Sequence, residues 1–90
     1  IRPEKANSMT KPVAIITGAN SGIGFAFAHA LHVRQYRLCL ADVQLDKIQA
    51  ALPASEQLIF YTLDVRDAVG WKNMTNLVAE KFGVIDYLVH

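Results

Sequence analysis

Three glycines in the spacing G-x-x-x-G-x-G, at Gly18, Gly22 and Gly24, carry the first chemistry in this chain. A glycine lets a ligand approach the main chain closely, because no Cβ blocks the way. The flanking residues decide what that main chain offers. Val13-Ala14-Ile15-Ile16 before the glycines is an apolar run too short for a helix and suited to a strand buried on both faces. Phe25-Ala26-Phe27-Ala28-His29-Ala30-Leu31 after them is rich enough in Ala and Leu to be helical. A helix start leaves four amides unpaired and carries the positive end of the macrodipole, so it attracts anions. The pattern therefore predicts a pyrophosphate site. Gly18 makes the turn out of the strand, Gly22 permits the close approach, and Gly24 lets helix pack on strand. At average glycine usage, chance alone gives this spacing in roughly 3% of chains of this length. The flanking strand and helix lower that further.

Acidic residues supply the next candidates. Asp42 closes a second apolar stretch, Tyr36 to Asp42, and follows Gly24 at an interval of 18 positions. That is close to the offset at which an acid meets the ribose of a bound dinucleotide. A plain strand-end acid is the alternative, and the glycines favour the ribose. Asp64 closes a third strand, Leu58 to Leu63, and an ordinary turn into the next helix explains it equally well.

The elements that position these residues alternate. Val43 to Leu52 reads as a short amphipathic helix stopped by Pro53. Asp67 is placed to cap a third helix, with Val69, Met74, Leu77, Val78 and Phe82 on one face and Gly83 as its stop. Ile85 to Val89 reads as a fourth strand. Strand and helix alternating predicts an α/β fold, a doubly wound parallel sheet with helices on both faces. Right-handed crossovers give the strand order 3-2-1-4. Ligands bind beyond the carboxyl ends of such strands, where Thr17, Gly18, Asp42, Asp64 and His90 all gather.

Other residues carry less. His29 and His32 share a helical face, but no third ligand accompanies them and no metal site is expected. Asp64 and Asp67 are explained by a turn and a cap, Trp71 and Met74 by packing. Ser21 has no base placed to activate it as a nucleophile. Cys39, the single cysteine, lies in an apolar run; it excludes a disulfide framework and reads as a small buried hydrophobe.

Ninety residues, 52% of them hydrophobic, make at most one domain. A net charge of +1 and 19% charged residues exclude a basic stripe for nucleic acid or a membrane surface, and no apolar run is long enough to span a bilayer. Residues 1–10 lack periodicity and read as a disordered extension or a targeting remnant; a cytoplasmic location is expected.

These residues together resemble the short-chain dehydrogenase/reductase family, in its compact form with T-G-x-x-x-G-x-G. The match runs through Thr17-Gly18-x-x-x-Gly22-x-Gly24, Leu40-Ala41-Asp42-Val43, Leu63-Asp64-Val65 and Ile85-Asp86-Tyr87-Leu88-Val89, and covers Lys11 to His90. It implies a Rossmann-type domain over residues 11–90, part of a longer whole, with NAD as cofactor. Asn20, Ser21 and Ile23 would meet phosphates and ribose beside the three glycines, Asp42 would hold the adenosine ribose hydroxyls, Asp64 with Val65 would flank the adenine, and Val43 next to Asp42 belongs to the same cofactor-binding set. The implied parent is an NAD(H)-dependent oxidoreductase of alcohols and carbonyls, a homodimer or homotetramer. The alternatives are a catalytically inactive nucleotide-binding module or truncated isoform; a cofactor-using epimerase is disfavoured by the glycine spacing. Gln35 stands where the family commonly closes the first helix with glycine, and His90 where it has the first Asn of N-N-A-G. No catalytic residue is assigned: Tyr36 is followed four positions on by Leu40 and Tyr61 by Val65, and Tyr87 sits mid-strand within three residues of His90, so no Y-x-x-x-K exists here. On its own the chain is expected to be silent in catalysis and marginally folded, with a bare edge at its fourth strand.

Overall fold

A computed structural model describes residues 11–90; the reading of residues 1–10 as a disordered extension lies outside them. Four strands, β1 (Val13–Thr17), β2 (Arg37–Asp42), β3 (Leu58–Thr62) and β4 (Tyr87–Val89), form one sheet in the order β3-β2-β1-β4. Every pairing is parallel, with Ile15 opposite Cys39 and Leu88, and Cys39 opposite Ile59. Between the strands run α1 (Gly22–Val33), α2 (Asp46–Ala51) and α3 (Ala68–Phe82). This is the doubly wound arrangement that alternation of apolar runs predicts.

Alternation of side chains along each strand makes two cores. Val13, Ile15, Cys39, Ala41 and Ile59 pack with Met74, Val78 and Phe82 of α3 on one face. Ala14, Ile16, Leu38, Leu40 and Leu58 pack with Ala28 of α1 and Ile48 of α2 on the other. Burial in the first core pushes the Cys39 thiol up to about 12, so it stays protonated and inert at neutral pH.

Several boundaries move, each for a local reason. The helix expected from Phe25 begins at Gly22, because the last two glycines form its first turn. The helix expected from Val43 begins at Asp46: the Val43 amide donates to its neighbour, the Asp42 carboxylate, at 2.7 Å. The fourth strand starts at Tyr87 rather than Ile85, since Asp86 replaces a rung of the ladder. Its Oδ2 accepts from Val13 N at 2.9 Å while its own amide donates to Val13 O. On α3, Met74, Val78 and Phe82 are buried and Trp71 packs against the same core, as expected, but Val69 and Leu77 are exposed. Asp67 caps α3, accepting from Val69 N and Gly70 N, and Gly83 closes it in the left-handed region, both as expected.

Gln35 answers the question its sequence position raises. It takes the left-handed turn at φ +66° without being glycine. Its amide donates to His32 O and the next amide, Tyr36 N, to Leu31 O, which together form a Schellman closure. Leu31 and Tyr36 pack on the same core and hold the turn in place.

Candidate functional site

The carboxyl ends of the strands bring the sequence candidates to one edge of the sheet. Gly18 and Gly22 both have positive φ, +67° and +60°, and a Cβ on either would meet open space. Their backbone conformation favours glycine, and Gly22 leaves the surface above it clear. Gly24 differs. A Cβ there would come within 2.1 Å of Gly18 O, so this glycine is what lets α1 sit against the loop leaving β1.

The amino end of α1 is open. Phe25 is the first of its amides with a helical acceptor, Ser21 O at 3.3 Å, so Gly22, Ile23 and Gly24 precede the ladder. Ser21 is the N-cap, but its hydroxyl caps nothing, and the first turn holds no acid. Unpaired amides and a helix dipole without a counter-charge suit an anion.

Asp42 stands beside this loop at the end of β2, half-buried. Its Oδ2 accepts from Asn20 N at 3.0 Å and its Oδ1 from Val43 N. Each carboxylate oxygen keeps a lone pair for a ligand hydroxyl. Ile23, Val43 and Val65, 77%, 60% and 46% exposed, add apolar surface along the same edge. Asp64 is paired with Arg66 at 2.9 Å, and that hydrogen-bonded guanidinium holds its carboxyl down at about 2. Val65 is anchored through its carbonyl, which accepts from Trp71 Nε1 at 2.8 Å. Thr17 ties β1 to β4: its hydroxyl lies 2.8 Å from His90 Nδ1, and the His90 ring stands edge-on to Trp71.

Asn20 is the candidate whose side chain turns away from this edge. It is buried, with Oδ1 accepting from Lys47 N and Ile48 N at 2.9 Å each and Nδ2 donating to Asp46 Oδ1. It caps α2 from across the loop. Nothing in the sequence signals this, nor the Trp71–Val65 bond, because both partners are brought together only by the fold.

A cleft of about 720 Å³ lies at the opposite, amino-terminal edge, among Lys11, His32, Gln35, Tyr36, Arg37 and Gln57. Its arginine is already occupied: Nε and Nη2 of Arg37 donate to Lys11 O, and Nη1 to Phe82 O. Size alone does not make it the site.

Among known proteins, the family model for short chain dehydrogenases matches residues 12–90. Meso-2,3-butanediol dehydrogenase of Serratia marcescens is 38% identical over 81 residues, 87% of this chain and 32% of that protein. The NAD(+) 15-hydroxyprostaglandin dehydrogenase of Bos taurus is 36% identical over 84 residues, again 87% and 32%. Among solved structures, a short-chain dehydrogenase/reductase from Burkholderia phymatum in complex with NAD superimposes with a TM-score of 0.73 at 33% identity, over 87% of this chain and 29% of that one. The chain thus spans about a third of the length of the curated relatives it matches. With the glycine loop, the strand order and these relatives in agreement, the chain belongs to the short-chain dehydrogenase family.

Proposed function

We propose that this chain is the part of an NAD(H)-dependent oxidoreductase that binds adenosine and pyrophosphate, the parent enzyme interconverting alcohols and carbonyls. The observation that carries the reading is the open amino end of α1, uncapped and free of acid, with the Asp42 carboxylate at the neighbouring strand end. The donor set fits a dinucleotide. The amides of Gly22, Ile23 and Gly24 would hold the pyrophosphate, and Asp42 would accept the hydroxyls of the adenosine ribose. Exposed Val43 and Val65 would flank the adenine, with Ser21 and Ile23 meeting the phosphate and ribose beyond. Asn20 contributes through the loop backbone. When bound, the nicotinamide supplies the hydride acceptor or donor.

The work of these residues is positioning. They fix one end of a long ligand so that the other end lies at a constant place relative to substrate. The family resemblance implies a Tyr to move the proton, a Lys to lower its pKa and a Ser to orient the carbonyl. No Y-x-x-x-K occurs here and the chain matches about a third of its relatives' length, so we place these residues in the remainder of the parent protein. The names of the Serratia and Bos taurus relatives support alcohol oxidation, and the second supports NAD.

NAD(H) is preferred over NADP(H) because Asp42 would face the 2′-phosphate. Unit charges 4 Å apart repel by about 4 kcal/mol at an effective dielectric of 20, and less where solvent screens them. Val43 and Gln44 follow Asp42 and offer no cation. Arg66, on the same edge, is already paired with Asp64. Titrating the parent protein with NADH and NADPH tests the reading. Tighter binding of NADH is expected; equal or tighter binding of NADPH refutes the cofactor assignment, and no binding of either refutes the function.

A further inference from the structure

Asn20 sits between the two left-handed glycines of the loop, Gly18 and Gly22. Four bonds fix it. Its amide donates to Asp42 Oδ2 at 3.0 Å, its Oδ1 takes the amides of Lys47 and Ile48, and its Nδ2 donates to Asp46 Oδ1 at 3.0 Å. The preceding amide, Ala19 N, donates to Ala41 O at 3.1 Å. The loop is thus bound at its midpoint both to the end of β2 and to the start of α2.

The dependence is mutual. The N-cap position of α2 is Leu45, which has no side-chain acceptor, so the first amides of this six-residue helix rely on Asn20. Asp42 relies on the loop in turn, since one of its oxygens is held by the Asn20 amide. Asp46 feels the link as well: the bond from Asn20 is the largest influence holding its carboxyl below the ordinary range.

We propose that Asn20 is a positioning residue that joins the pyrophosphate loop and the ribose-binding carboxylate into one rigid unit through α2. Its side chain touches no part of the dinucleotide. It acts by fixing the loop conformation before the ligand arrives, so that little ordering remains to be done on binding. This rests on the function proposed above.

Asn20→Asp in the parent protein tests it. The new carboxylate still accepts from Lys47 and Ile48 but faces Asp46 with like charge and no proton to share. The dissociation constant for NADH, read by its fluorescence, is expected to rise about tenfold, the scale of one lost hydrogen bond to a charged partner. Asp46→Asn added to it restores the bond with donor and acceptor exchanged. The double variant is expected to bind within about twofold of the original, as a reciprocal pair should. An unchanged constant in Asn20→Asp overturns the proposal, as does a loss that the double variant fails to restore. Should Asn20→Asp not fold, Asp46→Ala takes its place, with a two- to fourfold rise expected and no rise overturning. Failure of the unaltered parent to bind NADH is a different result, and it strikes the proposed function rather than the role of Asn20.

Discussion

The two ends of α1 are built in opposite ways. At its carboxyl end the chain folds back on the helix: the Gln35 and Tyr36 amides return to His32 O and Leu31 O, and a non-glycine residue accepts a left-handed turn to achieve it. At its amino end the chain uses two glycines, and still leaves three amides without a helical partner and the cap residue idle. A helix start that a serine could have closed is left open. The contrast repeats across the sheet. The amino edge holds a cleft of about 720 Å³, but each side-chain nitrogen of its arginine already donates to a backbone carbonyl; the carboxyl edge keeps its donors, its acceptor Asp42 and its exposed Ile23, Val43 and Val65. Spare bonding capacity, rather than concavity, marks the site.

The largest way to break this contrast is at Gly24. Gly24→Val puts a branched side chain where even a Cβ would overlap Gly18 O, which is backbone and cannot yield. Loss of about 3 kcal/mol or more is expected, from displacement of α1 off the sheet. Circular dichroism melting checks it, and an unaltered midpoint would show that the close approach is not needed.

Gly22→Val comes next, and separates binding from folding. Its Cβ meets open space, so only the φ of +60° resists it, by about 1–2 kcal/mol. The sheet should survive with a lowered melting point while NADH binding is abolished. Retained binding would make this loop structural only.

At the closed end the sign reverses. Gln35→Gly relieves the left-handed strain and is expected to stabilise by about 1 kcal/mol, less whatever the added freedom of the unfolded chain removes. Chemical denaturation measures it; destabilisation would mean that the Gln side chain contributes a contact larger than the strain.

The smallest effect concerns Asp64, whose carboxyl titrates at about 2 because Arg66 hydrogen-bonds it. A depressed folded-state value stabilises above the unfolded carboxylate range, near 3.9, and that contribution is lost as pH falls toward 2. The pair is exposed, so the gain is slight. In Arg66→Ala the carboxyl signal, followed by NMR, is expected to titrate higher, toward its ordinary value, with the residue-66 amide still bonded to it and little change in stability. A midpoint still near 2 would place the cause elsewhere.

Much of this was legible in the residues themselves. Continuous apolar runs such as Val13 to Ile16 give strands buried on both faces, and their alternation with helical segments gives the strand order. The glycine spacing gives the loop. What stayed hidden depends on side chains that substitute for backbone. Asp86 replaces a ladder bond and so shortens β4, and Asn20 caps a helix that lies far from it in sequence. A polar side chain in a loop reads the same whether it faces a ligand or its own protein, and only its burial among Asp46, Lys47 and Ile48 decides. Val69 and Leu77 fit the apolar periodicity of α3, yet nothing in the described residues covers them.

Amide chemical shifts recorded while NADH is added to the isotope-labelled parent protein test the contrast between the two edges most directly. Shifts are expected to concentrate in residues 18–24, 42–43 and 64–65, with the amides of Gly22, Ile23 and Gly24 moving most as they acquire acceptors. His32, Gln35 and Arg37, around the cleft at the amino edge, should stay still. Shifts centred on that cleft, with the α1 amino end unmoved, would contradict it.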